Sequence, residues 1–120
     1  MPHFARRAFL CAATAALSCL PLLAHAQQEV VVGATVPITG TFAASGIQYL
    51  NALKQAQDDI NKAGGINGKP FRIVFEDTQA SNSTAVNALV KLVKQVNPPF
   101  IFLSSLSTQV LAMEPDIAKA

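Results

Sequence analysis

Val30-Val31-Val32-Gly33-Ala34-Thr35-Val36-Pro37-Ile38-Thr39-Gly40, followed one helix later by Ala63-Gly64-Gly65-Ile66-Asn67-Gly68, decides the fold of this chain. The first seven residues form an apolar, β-branched run. Such a run suits a strand buried on both faces of a parallel sheet. Pro37 ends it, and a loop follows. Ser45-Gly46-Ile47-Gln48 then fits a capping box, with Ser45 as N-cap and Gln48 at N3. Tyr49, Leu53, Ala56, Ile60 and Ala63 recur at helical spacing, with Lys54, Asp58 and Lys62 outside the stripe. Gly64 and Gly65 supply a left-handed C-cap, and Asn67-Gly68 signals a turn.

The pattern repeats downstream. Phe71, Ile73 and Phe75 alternate with Arg72, Val74 and Glu76 as a second strand. Residues 77–82 are a polar loop. Val86, Leu89, Val90, Val93 and Val96 give the face of a second helix, stopped at Asn97-Pro98-Pro99. Phe100-Ile101-Phe102-Leu103 reads as a third strand. Ser104-Ser105-Leu106-Ser107 leads into a third helix with Ser107 as its expected N-cap, which Pro115 kinks or ends. The order β-α-β-α-β-α implies right-handed crossovers and an α/β fold, a parallel sheet with flanking helices.

Residues 1–26 read differently. Arg6 and Arg7 precede an apolar run from Ala8 to Leu23, and Ala24-His25-Ala26 is an A-x-A cleavage site. These are the three parts of a signal peptide, cleaved after Ala26, so a periplasmic location is expected. A membrane anchor fits less well, because Pro21 interrupts the run. Arg6-Arg7-Ala8-Phe9-Leu10 also resembles the core of a twin-arginine signal. However, Ala5 and Cys11 stand where such signals carry a polar residue and a lysine, so ordinary secretion is expected. Residues 27–120 form the folded part, and the helical pattern runs to the last residues without a capping glycine. That part therefore reads as a fragment of a longer domain.

Composition excludes several function classes. Both cysteines, Cys11 and Cys19, and both histidines, His3 and His25, lie in the leader, and the chain has no Trp. From Gln27 onward a disulfide, a Cys/His zinc site, a cysteine nucleophile and a histidine base are all excluded. Seven Lys and Arg balance seven Asp and Glu there, so the net charge of +2 comes from Arg6 and Arg7, and no basic patch argues for nucleic acid. No dinucleotide, P-loop or nucleophile-elbow motif is present; Gly68-Lys69 runs into Pro70. No catalytic residue, metal site or cofactor is expected.

Three strand ends share one edge of a parallel sheet, which is where open α/β sheets bind small ligands. They carry Thr39-Gly40-Thr41, Asp77-Thr78 and Ser104-Ser105, with Ser107-Thr108-Gln109 opening a helix beside the third. Helix-start N–H groups and neutral hydroxyls suit a small zwitterion or anion. Candidate ligand contacts are Ser105, Ser104, Ser45, Thr39 and Thr108. Plain helix capping explains Ser45 and Ser107 equally well, and a plain turn explains Thr39 and Gly40. Asp77 is expected as a loop or cap carboxylate, and Tyr49 as core.

These residues, in this order, resemble the extracytoplasmic solute-binding proteins of branched-chain amino acid ABC transporters, which are type I periplasmic binding proteins. The carriers are residues 31–34 into Pro37-Ile38-Thr39-Gly40, Phe42-Ala43-Ala44-Ser45-Gly46, residues 56–60 with Asn61, Ala63-Gly64-Gly65-Ile66-Asn67-Gly68, Glu76-Asp77-Thr78, Ala85-Val86 with Lys91-Leu92-Val93, and Pro115-Asp116-Ile117-Ala118. The resemblance implies two lobes closing on a ligand, of which this chain supplies part of the N-terminal lobe. It implies capture of an amino acid or related carboxylate for a membrane permease. It assigns Ser105 to the ligand carboxylate, with Ser104 as fallback. Two departures stand out. Ser45 occupies a position that often carries an aromatic contact, and Leu103-Ser104-Ser105 replaces a common Gly-Pro. A ligand-sensing regulatory domain of the same fold is the alternative, and the leader argues against it.

Overall fold

The computed structural model describes residues 28–119. The leader and its cleavage point lie outside them. Three parallel strands form the sheet: β1 (Val30–Val36), β2 (Phe71–Asp77) and β3 (Ile101–Phe102), in the order β2-β1-β3. Helices α1 (Ala43–Lys62), α2 (Asn82–Lys91) and α3 (Ser107–Ile117) follow the three strands in turn. β1 pairs with β2 along its whole length, Val30 opposite Phe71 and Val36 opposite Asp77. The third strand is shorter than its apolar run suggests: only Ile101 and Phe102 pair, with Gly33 and Ala34.

β1 is buried on both faces, and its alternation divides the two layers. Val32, Ala34 and Val36 join Phe71 and Ile73 on the face covered by α1, where Tyr49, Leu50, Leu53 and Ile60 pack. On the other face Ala85, Leu89 and Met113 from α2 and α3 make a second cluster with Ile101 and Leu103. Gly33 lies under Leu92; a Cβ there would come within 3.1 Å of a Leu92 methyl. α2 runs on into a π-helical turn (Leu92–Val96), closed by the Asn97 N–H to the Leu92 carbonyl and by Asn97 in the left-handed region.

Both expected serine N-caps are corrected. α1 begins at Ala43, with Phe42 as N-cap and no side-chain capping bond. Its start is set by a backbone turn, Ala43 N–H to the Gly40 carbonyl, and Ser45 lies inside the first turn, donating its hydroxyl to the Phe42 carbonyl. α3 begins at Ser107 behind Leu106, again without a side-chain cap. Pro115 neither ends α3 nor stops the chain from reaching Ile117 as helix. The buried stripe of α1 also differs from the expected one. Ala56 and Ala63 are exposed, while Gly46, Leu50 and Gln57 face inward. Gly46 sets this rotation: a Cβ there would overlap the Pro37 carbonyl oxygen, so α1 lies directly against the end of β1.

The second glycine segment forms as expected. Gly64 and Gly65 take positive φ, and their N–H groups reach the Asn61 and Ile60 carbonyls, which is a Schellman end. Asn67 and Gly68, both at positive φ, then turn a two-residue hairpin in which Ile66 and Lys69 exchange backbone bonds.

Two amides of α1 finish the sheet on one side. Val30 N–H bonds the Pro70 carbonyl, so Phe71 and Ile73 point their backbone groups away from β1. The Asn61 side chain meets both groups of Phe71 at 2.8 Å, accepting from its N–H and donating to its carbonyl. Gln57 Oε1 accepts from Ile73 N–H at 2.7 Å. One turn of helix thus imitates a neighbouring strand along the outer side of β2.

Candidate functional site

The parallel sheet brings three loops to its carboxyl edge. The loop after β1 is gripped by Asp77, the last residue of β2. Asp77 Oδ1 accepts from Ile38 N–H at 2.9 Å, Thr39 N–H at 3.2 Å and Gln79 N–H at 2.8 Å. Thr39 Oγ1 donates to Asp77 Oδ2 at 2.6 Å. Burial alone would raise the Asp77 carboxyl. The bonds from the Thr39 hydroxyl and from the Gln79, Thr39 and Ile38 N–H groups outweigh it and hold the group below its ordinary value.

The loop after β2 is tight. Gln79 and Ala80 both take left-handed conformations, with φ of 52° and 56°. L-residues avoid that region, at roughly 1–2 kcal/mol each. The Gln79 carbonyl lies so close to Gly40 that a Cβ at Gly40 would stand 2.5 Å from it. The first two loops are therefore interlocked, by Asp77 from one side and Gly40 from the other.

The loop after β3 is tied to β1. Ser104 is buried; its N–H donates to Thr35 Oγ1 at 3.0 Å, and its Oγ accepts from Leu106 N–H at 3.3 Å. Tyr49, half-buried on α1, reaches the Leu103 carbonyl through its hydroxyl at 3.4 Å, and burial pushes its phenol up. Gln109, wholly buried, donates through Nε2 to the Ser81 carbonyl at 3.4 Å, so the first turn of α3 is joined to the start of α2.

The five candidate residues thus differ in surroundings. Ser104 is part of the loop's framework. Thr39 is exposed, and its hydroxyl is bonded to Asp77. Ser45 is exposed on α1 and bonded to its own helix. Ser105 and Thr108 are exposed, and neither hydroxyl has a hydrogen-bond partner among the described residues. Beside them, the first intrahelical bonds of α3 come from Gln109 and Val110 to the Leu106 carbonyl. The N–H groups of Ser107 and Thr108 precede those bonds and face outward, as at any helix start. A short arc of neutral donors results, able to hold a carboxylate without a buried cation. Asp77, which holds the loop after β1, and Gln109, which anchors the first turn of α3, are not themselves exposed donors. Apart from the Asp77–Gln79 bond, theirs link residues 28 to 39 apart, a distance that local sequence patterns do not signal.

Among the described residues, no group of three or more acidic, His or Cys side chains could hold a metal ion, and no helix is long and apolar enough to cross a membrane.

A chain with this β2-β1-β3 parallel sheet and donor-lined edge matches the periplasmic binding protein family model over residues 29–120, and it belongs to that family. An amino acid binding protein of Pseudomonas aeruginosa is 41% identical over 83 residues, covering 69% of this chain and 22% of the relative. The Leu/Ile/Val-binding protein BraC3 of Rhizobium johnstonii is 38% identical over 71 residues, covering 59% of this chain and 19% of the relative. Among solved structures, the branched-chain amino acid transporter substrate binding protein LivJ of Streptococcus pneumoniae, in complex with isoleucine, superposes with a TM-score of 0.73. It is 26% identical, with 77% of this chain and 26% of that one covered. The chain thus spans about a quarter or less of the length of the proteins it matches.

Proposed function

We propose that this chain forms the first part of the N-terminal lobe of an extracytoplasmic solute receptor. The receptor captures a small amino acid, or a related carboxylate, and hands it to the membrane permease of an ABC importer. The observation that carries the reading is the pairing of Ser105 and Thr108, exposed and unbonded among the described residues, with the opening turn of α3. Hydroxyls and free N–H groups there are suited to a carboxylate. The names of the relatives support an amino acid as the solute, and the absence of Cys and His after the leader supports a binding role over catalysis. In this reading Ser105 and Thr108 bond the carboxylate, Thr39 from the first loop and Ser45 from the first turn of α1 border the site, and Ser104 holds Ser105 in place. The leader carries the protein to the periplasm and is removed after Ala26.

The test is calorimetric titration of the full-length protein with L-leucine, L-isoleucine and L-valine, beside Ser105→Ala. Removing a hydrogen bond to a charged group should weaken binding by about 1.5–3 kcal/mol. Wild-type affinity in Ser105→Ala would reject the assignment.

A further inference from the structure

Asp77 has no place among the expected ligand contacts, yet it is the most heavily bonded side chain at the site's edge. It accepts four hydrogen bonds, two from Thr39, one from Ile38 and one from Gln79. Three come from the first loop and one from the second. The second loop includes two consecutive left-handed residues, Gln79 and Ala80, and it presses on Gly40 of the first. A loop held in sparsely populated conformations needs an outside tie to stay there. The tie here is the Asp77 carboxylate.

We propose that Asp77 is a positioning residue for ligand capture: its carboxylate fixes the β1–α1 and β2–α2 loops in the shape that borders the carboxylate-binding arc, and it does so without touching the ligand. The proposal rests on the reading of Ser105 and the α3 start as the ligand site. Its physical content is preorganisation. A loop already held in its bound shape loses less freedom when ligand arrives, and affinity rises without a new contact.

Three variants of the full-length protein test it by titration with L-leucine and by amide exchange without ligand. Asp77→Ala removes every acceptor. Asp77→Ser can still reach Gln79 N–H in a local turn, but it is too short to hold Ile38 and Thr39. It separates loop release from misfolding should the alanine variant fail to fold. Asp77→Asn keeps an acceptor for the three N–H groups while removing the charge. The expected result is leucine affinity about tenfold weaker in Asp77→Ala and Asp77→Ser, with faster exchange at Ile38 and Thr39, and recovery to within about threefold of wild type in Asp77→Asn. Unchanged affinity in the serine variant, or no recovery in the asparagine variant, would overturn the positioning role while leaving the ligand site standing. A wild-type protein that binds no branched-chain amino acid would instead overturn the reading of the site, and the capture role with it.

Discussion

Thr35 and Ser104 are joined across the β1–β3 pair by a buried hydrogen bond, Ser104 N–H to Thr35 Oγ1 at 3.0 Å. The bond fixes where the chain leaves the sheet and thereby where Ser105 emerges. Thr35 is the polar residue in an otherwise apolar strand, and its hydroxyl has this structural role. In Thr35→Val the Ser104 N–H would stay buried without a partner. A loss of about 1–3 kcal/mol of stability is expected, read as a lowered midpoint in urea unfolding of the full-length protein.

Gly46 brings α1 against the Pro37 carbonyl. Gly46→Ala places a methyl group where that oxygen lies, so helix or loop must move. Overpacking of this kind costs about 1–3 kcal/mol. Thermal melts should show the drop, whereas Gly64→Ala, with open space around it but a positive φ, should lose only the backbone preference, about 1 kcal/mol.

Ala80 offers the opposite case. Its φ of 56° is one that glycine adopts without strain. Ala80→Gly should raise stability by up to about 1 kcal/mol, because the relief of left-handed strain exceeds the added freedom of the unfolded chain. A melt below that of wild type would show that the Ala80 methyl packs more tightly than its conformation costs.

Acid should act through Asp77. Its carboxyl titrates below its ordinary value in the folded protein because of the four bonds it accepts. The stabilisation is therefore fully present above the unfolded-state value, about 3.9, and is lost as pH falls through the lower folded value. Asp77→Asn should flatten the acid limb of a stability profile below about pH 4 and leave the neutral region's slope unchanged. A profile with the same acid limb in both proteins would place the acid sensitivity elsewhere.

Much of the fold was legible because its punctuation is local. The Gly64-Gly65 stop, the Asn67-Gly68 turn and the β-branched run of β1 each act within a few residues, and all three appear where the sequence puts them. The helix starts were not legible. Capping logic selects Ser45 and Ser107, but Phe42 and Leu106 hold those places, because the preceding loops are shaped by Asp77 and Thr35 from other strands. The same non-local bonds divide the candidate site. Sequence treats Ser104 and Ser105 as near equivalents after an apolar strand. Burial and the Thr35 hydroxyl separate them, one into the framework and one onto the surface. Gln57, polar within an apolar stripe, was hidden because its partner is a backbone N–H sixteen residues away.

That partner has a consequence for growth of the sheet. With Asn61 covering both outer groups of Phe71 and Gln57 the outer N–H of Ile73, the first half of the β2 flank offers a stray polypeptide little to template on. Among the described residues, Ile101 and Phe102 pair on their β1 side and nowhere else. Extension of the sheet is therefore polar. A strand added beyond β3 meets fewer blocked groups than one approaching the start of β2, which biases strand exchange toward the β3 side.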